Sequence, residues 1–235
     1  MNTYSSLSQN AVLIRTNSFI RSVYNWMAIG LGLTGLTAYY VAHDPAMQKL
    51  IYTTPGLMMI LIIAELGFVF FLSARIQKIQ ASTATALFTI YSILNGITLS
   101  VIFLIYTQAS IVSTFAICSI TFLACSIYGM TTKKDLTSMG GFMMMGLIGI
   151  IIASVVNMFI HSSGMQLIIS YVGVIVFVGL TAYDTQKLKT MSLTMPDNAT
   201  GAMVRKGAIM GALTLYLDFI NLFIMLLHIF GGRRN

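Results

Sequence analysis

The chain has 235 residues, of which 57% are hydrophobic and only 8% are charged, and its mean hydropathy is +0.87. Because soluble domains carry roughly 25% charged residues, this composition excludes a soluble protein. The net charge of +7 does not predict a nucleic-acid partner, since the basic residues stand in short loops between apolar runs, where they indicate membrane topology.

Apolar stretches that are long enough to span a bilayer occur seven times along the chain. A bilayer core of about 30 Å requires about 20 apolar residues per spanning helix. In chain order, the predicted helices are 24–42, 55–74, 83–106, 110–129, 139–160, 165–186 and 206–230. We therefore expect an all-α polytopic membrane protein, in which a polar N-terminal segment (1–23) precedes a single seven-helix domain (24–235).

Two short segments have a structural interpretation. HDPAMQKLIYTTP (43–55) is expected to be a loop between the first two helices, because it contains two prolines. GLGLTG (30–35) matches the pattern of a dinucleotide-binding turn, which requires a preceding strand. Since this stretch lies inside a predicted spanning helix, it indicates close packing of small residues against a neighbouring helix.

The lysines and arginines indicate the orientation of the chain. If the N-terminus is cytoplasmic, ten basic residues fall on the cytoplasmic side, namely Arg15, Arg21, Arg75, Lys78, Lys133, Lys134, Lys187, Lys189, Arg205 and Lys206. Lys49, Arg233 and Arg234 fall on the other side. Since cytoplasmic loops carry the excess of basic residues, we predict a cytoplasmic N-terminus and a C-terminus on the opposite side of the membrane.

The three histidines do not predict a zinc enzyme. His43 and His161 fall in predicted loops, and His228 lies near the end of the last helix. No two of them have the four-residue spacing that places a pair of ligands on one helix face. We therefore expect neither a cofactor nor enzymatic activity.

Three of the six acidic residues lie in or beside apolar runs, namely Glu65, Asp184 and Asp218. An ionised carboxylate at the centre of a spanning helix costs roughly 2.5–3.5 kcal/mol on insertion scales. Such residues usually face the interior of a bundle, where they pair with one another or line water. The buried acids are therefore the candidate functional groups of this chain.

Asp218 belongs to a polar stripe on the last helix. Thr214, Asp218 and Asn221 are spaced i, i+4, i+7 and therefore share one face. Twelve residues follow Asp218 before the tail GGRR, which places it about 18 Å from the outer surface. Asp184 stands three residues before Lys187 and is nearer the cytoplasmic face.

A tilt of the helices, or a bend near Gly173 or Gly179, would bring Asp184 and Asp218 level with each other. Two carboxylates in contact in a poor dielectric do not both ionise readily, so they share a proton and titrate as a pair. Such a pair can sense pH, bind a hard cation or activate water. The structural alternative is that Asp184 caps its helix and Asp218 hydrogen-bonds the bundle.

The other charged candidates lie on the second predicted helix. Glu65 stands in the middle of its apolar run and is either a separate cation or proton site or a buried, neutral acid. Arg75, ten residues later, marks the cytoplasmic end of that helix and is a candidate to neutralise Asp184. Tyr183, which directly precedes Asp184, is a further supporting residue.

Two motifs resemble the signature of the Bax inhibitor-1 family, also called the transmembrane Bax-inhibitor-motif family. They are GLTAYDTQKLK (179–189) and, about thirty residues later, GALTLYLDFINLF (211–223). YGMTTKKDL (128–136) and the stretch from Tyr24 to Gly35 are also similar to the family. The resemblance spans essentially the whole chain. The small size and short loops of the chain indicate a bacterial member of the family.

The resemblance implies a seven-helix fold in which the C-terminal helix is central and the other six wrap around it. It also implies a multi-pass protein of the inner membrane that acts as a calcium leak. In that case Asp184 and Asp218 are the proton-sensing, gating pair and a transient calcium site, with Arg75 as a partner from the second helix.

Two other functions are alternatives to the leak. The alternative is a regulatory membrane protein that binds and modulates a membrane-anchored ATP-dependent protease, with the polar residues 1–22 as the point of attachment. An intramembrane aspartyl protease is disfavoured, because such enzymes resemble Y-D paired with G-x-G-D, whereas the second acid here stands in Y-L-D-F.

Overall fold

A computed structural model describes residues 2–196 and 198–234, with side chains from Val12 onward. The helices are α1 (Asn2–His43), α2 (Pro45–Thr53), α3 (Leu57–Arg75), α4 (Ala81–Leu99), α5 (Val101–Ile105), α6 (Gln108–Thr131), α7 (Thr137–Ile160), α8 (Ser163–Leu193) and α9 (Gly201–Phe230). No strand is assigned within these described ranges. The predicted all-α class is confirmed.

The chain divides into two compact units. The first contains Met1–Ile105 and Met191–Leu213, and the second contains Tyr106–Thr190 and Thr214–Asn235. Helices α8 and α9 each contribute residues to both units. The single domain expected over 24–235 stays a prediction.

Six of the predicted spans are confirmed as helices long and apolar enough to cross a membrane. They are Leu57–Arg75, Ala81–Ile105, Gln108–Thr131, Thr137–Ile160, Ser163–Leu193 and Gly201–Phe230. The stretch 24–42 is helical but is not among them, since Asn25, Trp26 and three tyrosines make it less apolar. The seventh span therefore stays a prediction.

Helix α1 begins well before the predicted boundary at residue 23 and runs unbroken through it. Phe19, Val23 and Met27 are all buried, at a spacing of four residues, so one apolar stripe crosses that boundary. The Arg15 guanidinium donates a hydrogen bond to the backbone carbonyl of Met195 at 3.0 Å. Within the first unit, this bond ties α1 to the segment that joins α8 to α9.

The segment 43–55 was expected to be a loop, and this prediction was wrong, because it contains helix α2. Asp44 is the N-cap residue, and its Oδ1 atom accepts hydrogen bonds from two amides of the first turn, at 2.8 and 3.0 Å. Pro45 occupies the first helical position, where its missing N–H is no loss and its fixed φ favours the helix. The proline therefore starts a helix here.

In the first unit, α1 packs most extensively on α4, and glycines allow the close approach. A Cβ added at Gly30 would stand 2.7 Å from the Phe88 ring, and one added at Gly96 would stand 2.6 Å from the carbonyl oxygen of Thr34. The Thr34 hydroxyl also lies 2.8 Å from the carbonyl of Ser92. The interpretation of GLGLTG as a helix-packing stretch is confirmed at Gly30.

In the second unit, α6 packs against α9 through aromatic rings. Phe115 and Phe122 each lie with their ring centroid 5.4 Å from that of Phe219, in edge-on geometry. The Cys118 thiol lies between them along α6 and donates to the carbonyl of Phe219 at 3.7 Å. Cys118 is fully buried and acts as a packing residue.

Burial differs widely among the candidate spans. In the most apolar window of α9, 56% of the residues are buried, and in that of α8 the share is 50%, whereas in α3 it is 6%. Helix α3 therefore exposes most of its apolar side chains, as expected for a surface in contact with lipid. The central position of the last helix, wrapped by the other six, stays a prediction.

Helices α7 and α8 approach closely where α7 carries a glycine. Gly140 is buried, and a Cβ at this position would overlap the Tyr183 ring. Gly141, the next residue, is exposed, and a Cβ there would meet nothing within 4 Å. Gly140 is therefore a position where a side chain would disturb the contact between α7 and α8, and Gly141 is a neighbouring position where it would not.

Replacing Gly140 with alanine is expected to lower the thermal unfolding midpoint of the purified protein in detergent. Overpacking of a close contact typically costs about 1–3 kcal/mol, because Tyr183 has to move. Gly141→Ala is the control, and it is expected to leave the midpoint unchanged or raise it, since alanine favours a helix by up to about 1 kcal/mol over glycine. Equal midpoints for the two variants would contradict this packing.

Candidate functional site

Asp184 on α8 and Asp218 on α9 lie in the same unit, and their carboxyl groups form a hydrogen bond with each other. Only 8% of Asp184 and 5% of Asp218 is exposed. A carboxylate has no donor, so a hydrogen bond between two carboxyl groups requires a proton on one of them. The contact between Asp184 and Asp218 that the sequence left open is present.

The two aspartates have different surroundings. The positive charge of Lys187, one turn further along α8, acts on Asp184. For Asp218 the neighbouring charge is Asp184 itself, and its Oδ2 atom is buried without a partner among the amides, hydroxyls and amines of the described residues. The charge that acts on Asp184 is therefore that of a cation, whereas the charge that acts on Asp218 is that of Asp184.

The polar stripe on α9 places Thr214 and Asn221 on either side of Asp218 along the helix. Asn221 is half-buried and donates from Nδ2 to the carbonyl of Leu217 on its own helix, at 2.8 Å. Thr214 is half-buried one turn before Asp218. The supporting roles expected for Thr214 and Asn221 stay predictions.

Tyr183 fixes the approach of α7 to the helix that carries Asp184. Its ring lies against Gly140, and the Lys187 ammonium stands 5.9 Å from the ring centroid. This distance is within the range of a cation–π contact. Tyr183 therefore lies between a helix contact and the cation that acts on Asp184.

Gln186 and Lys189, which the sequence did not single out as site residues, join α8 to the end of α6 and to the segment that follows it. The Gln186 side chain accepts from the Leu136 amide at 2.9 Å and donates to the Lys134 carbonyl at 2.8 Å. Lys189 donates from Nζ to the Met130 carbonyl, in the last turn of α6, at 2.6 Å. The sequence contained a signal for these contacts, because YDTQKLK and YGMTTKKDL both resemble family motifs. In the structure, residues of these two stretches contact each other.

Glycine also brings α6 against α8 at this level. A Cβ at Gly129 would overlap the backbone carbonyl of Ala182 and would stand 3.1 Å from Cβ of Thr185. Thr185 is fully buried next to Asp184 and lies 3.5 Å from the Ser126 hydroxyl. The turn of α8 that carries Asp184 is therefore held on the α6 side as well.

Asp135 precedes α7 outside the spanning helices and has a different environment. The hydroxyl and the amide of Thr137 donate to its Oδ1 atom at 2.6 and 2.9 Å. These hydrogen bonds lower the pKa of Asp135 below its ordinary value. Because Asp135 is exposed and ionised at neutral pH, it serves as a control for the buried pair.

Glu65 belongs to the first unit, where it is bound by α4. Its carboxylate accepts hydrogen bonds from Nδ2 of Asn95 at 3.2 Å and from the hydroxyl of Thr98 at 2.7 Å. Tyr91, Asn95 and Thr98 are spaced i, i+4, i+7 and share the face of α4 that meets Glu65. A polar cluster between α3 and α4 thus accounts for an acid in the middle of an apolar helix.

Arg75 ends α3 and is exposed, in the first unit. Asp184 belongs to the second unit. The pairing of Arg75 with Asp184 stays a prediction, whereas the cation that acts on Asp184 within its own unit is Lys187.

Replacing Glu65 with alanine is expected to lower the stability of the purified protein by about 1–3 kcal/mol, because donors on α4 lose their acceptor. Glu65→Gln is the matched control, since its amide oxygen still accepts a hydrogen bond. Chemical unfolding in detergent measures the difference. Variants of equal stability would show that the hydrogen bonds to Asn95 and Thr98 do not stabilise the contact between α3 and α4.

Comparison with known proteins identifies the family to which this chain is similar. Residues 16–235 match the family model described as "Inhibitor of apoptosis-promoting Bax1". The inner membrane protein YbhL of Escherichia coli K12 is 52% identical over 217 residues, which cover 92% of each chain. An uncharacterised protein of Borreliella burgdorferi is 46% identical over 224 residues and 95% of each chain.

A more distant relative is an uncharacterised membrane protein of Streptococcus pyogenes serotype M1. It is 39% identical over 219 residues, 92% of this chain and 93% of the relative. These similarities, together with the apolar helices, indicate a multi-pass protein of the inner membrane. The family match covers both aspartates, and the chain belongs to the Bax inhibitor-1 family as a bacterial member.

Proposed function

We propose that the protein is a pH-sensitive passive calcium leak, gated by the proton that Asp184 and Asp218 share. The observation that carries the proposal is the hydrogen bond between two buried carboxyl groups on different helices. The resemblance of the motifs around these aspartates to the Bax inhibitor-1 signature supports calcium as the permeant ion.

The shared proton makes the contact between α8 and α9 depend on charge. With one proton, the pair has one negative charge and one strong hydrogen bond. Removal of the proton leaves two like charges whose repulsion, at about 4 Å and an effective dielectric constant of about 20, is about 4 kcal/mol. A second proton removes the charged acceptor. Both changes alter the force that holds the two helices together.

Carboxylate oxygens also suit the proposed ion. Calcium takes about six to eight oxygen ligands, of which two aspartates supply at most four. The pair is therefore a transient site that completes the coordination shell with water or backbone carbonyls, and weak binding of this kind allows an ion to leave as well as to enter.

Replacing Asp218 with asparagine is expected to abolish most of the pH dependence of calcium flux into vesicles that contain the purified protein. The reason is that asparagine cannot lose a proton to create the second charge. The measurement is the ratio of the fluxes at about pH 6 and about pH 8, a range reached by buried, paired carboxyl groups. Asp184→Asn is expected to have the same effect.

Asp135→Asn is the matched control, because it removes an exposed carboxylate that lies outside the pair and leaves the pair intact. Its flux ratio is expected to equal that of the unmodified protein. If Asp218→Asn leaves both the flux and its pH dependence unchanged, the leak mechanism is wrong and the pair is a structural contact between helices.

The regulatory alternative stays a prediction. Regulation of a membrane-anchored ATP-dependent protease was expected to use residues 1–22 as the point of attachment. Residues 12–22 are part of α1, and the side chains of 1–11 lie outside the described part of the chain. The absence of enzymatic activity is likewise an expectation that a peptide-cleavage assay tests.

A further inference from the structure

A second polar site lies in the second unit, where α8 begins and α9 ends. It is a cavity of about 320 Å³ whose polar lining consists of Tyr106, Ser163, Gln166, His228 and Arg233. His228 follows Asp218 by ten residues along α9, which corresponds to about 15 Å. The cavity is therefore distinct from the aspartate pair and lies toward the other end of the helix.

Arg233 is fixed in this cavity by the segment that follows α9. Tyr106 and Arg233 form an antiparallel backbone bridge, and the Gly232 amide donates to the Ser110 hydroxyl at 2.9 Å. Gly231 has no space for a Cβ, which would stand 2.5 Å from the Tyr106 ring. The Arg233 side chain donates to the Tyr106 hydroxyl, so its guanidinium is held in place.

A chain of hydrogen bonds fixes the tautomer of His228. The Ser162 amide donates to Oδ1 of Asn157 at 3.0 Å, which orients that side-chain amide. Nδ2 of Asn157 then donates to Oε1 of Gln166 at 3.2 Å, and Nε2 of Gln166 donates to Nδ1 of His228 at 3.2 Å. Because Nδ1 accepts, neutral His228 has its proton on Nε2 and offers an N–H donor there.

The cavity thus combines a positive charge with several donors. The positive charge of Arg233 also acts on His228. The acidic side chains of this unit lie elsewhere, since Asp135 precedes α7 and Asp184 is bonded to Asp218. Four N–H groups of a guanidinium remain after one is donated to Tyr106, and they match the oxygens of an anion such as phosphate.

We propose that this cavity binds a phosphate group, either that of a phospholipid head group or free phosphate. Arg233 provides the charge, and the N–H of His228 and the hydroxyl of Ser163 provide further donors. The cavity stands at the ends of two candidate spans, at the level where lipid head groups lie. Phosphate binding would also explain why Arg233 lies on the predicted outer side of the membrane, where basic residues are few.

The test uses the purified full chain in an uncharged detergent and three probes. They are inorganic phosphate, a short-chain phosphatidylglycerol, and a diacylglycerol with the same chains but no phosphate. Binding is measured by calorimetry for phosphate and by native mass spectrometry for the lipids. Arg233→Gln is expected to weaken binding of the phosphate-containing probes about tenfold or more, because charge-assisted hydrogen bonds are lost.

Arg234→Gln is the matched control, since it removes the same charge from the adjacent residue, which does not line the cavity. Its affinities are expected to equal those of the unmodified protein. Tyr106→Phe, which removes the hydroxyl that holds Arg233, is expected to weaken binding as well. Unfolding midpoints without probe establish that the variants are folded.

Tight binding of phosphatidylglycerol alone would assign the site to a lipid head group, and binding of inorganic phosphate as well would assign it to the free ion. Either result supports the proposal when Arg233→Gln weakens binding of the probe and Arg234→Gln does not. Equal binding of phosphatidylglycerol and diacylglycerol without any binding of phosphate, or equal losses in the two arginine variants, would overturn it.

Discussion

A carboxyl group surrounded by apolar side chains needs a proton or hydrogen-bond donors, and this constraint accounts for the surroundings of Glu65, Asp184 and Asp218, the acids in the described spanning helices. Glu65 receives two donors from α4. Asp184 and Asp218 instead bond to each other, with Lys187 beside one of them. The first arrangement satisfies a fixed acid, whereas the second is the one that depends on a proton and responds to pH in the proposed mechanism.

The motif around Asp184 shows how the remaining residues hold this arrangement. Tyr183 packs on Gly140 of α7, Gln186 binds the segment after α6, and Lys189 binds the last turn of α6. Successive residues of one α8 stretch thus contact α6, α7 and α9. In the proposed mechanism, a change in the charge of the aspartate pair acts on a helix that is held by α6 and α7 on its other sides.

Periodicity and composition were sufficient to predict the six confirmed spans and to single out Asp184 and Asp218, because burial in lipid leaves few polar residues to choose from. They did not predict α2, since Pro45 is read as a breaker until Asp44 is recognised as a cap. Gln186 and the Arg233 cavity were not predicted either. Both depend on hydrogen bonds between distant parts of the sequence, which only tertiary packing brings together.

Infrared spectroscopy of the protonated carboxyl band tests most directly whether Asp184 and Asp218 share one proton, as we propose. The titration of the unmodified protein is compared with those of Asp184→Asn and Asp218→Asn. A shared proton predicts two separated steps in the unmodified protein, neither of which matches the single step of either variant. If the titration equals the sum of two independent carboxyl groups, each unaffected by loss of the other, the claim is wrong.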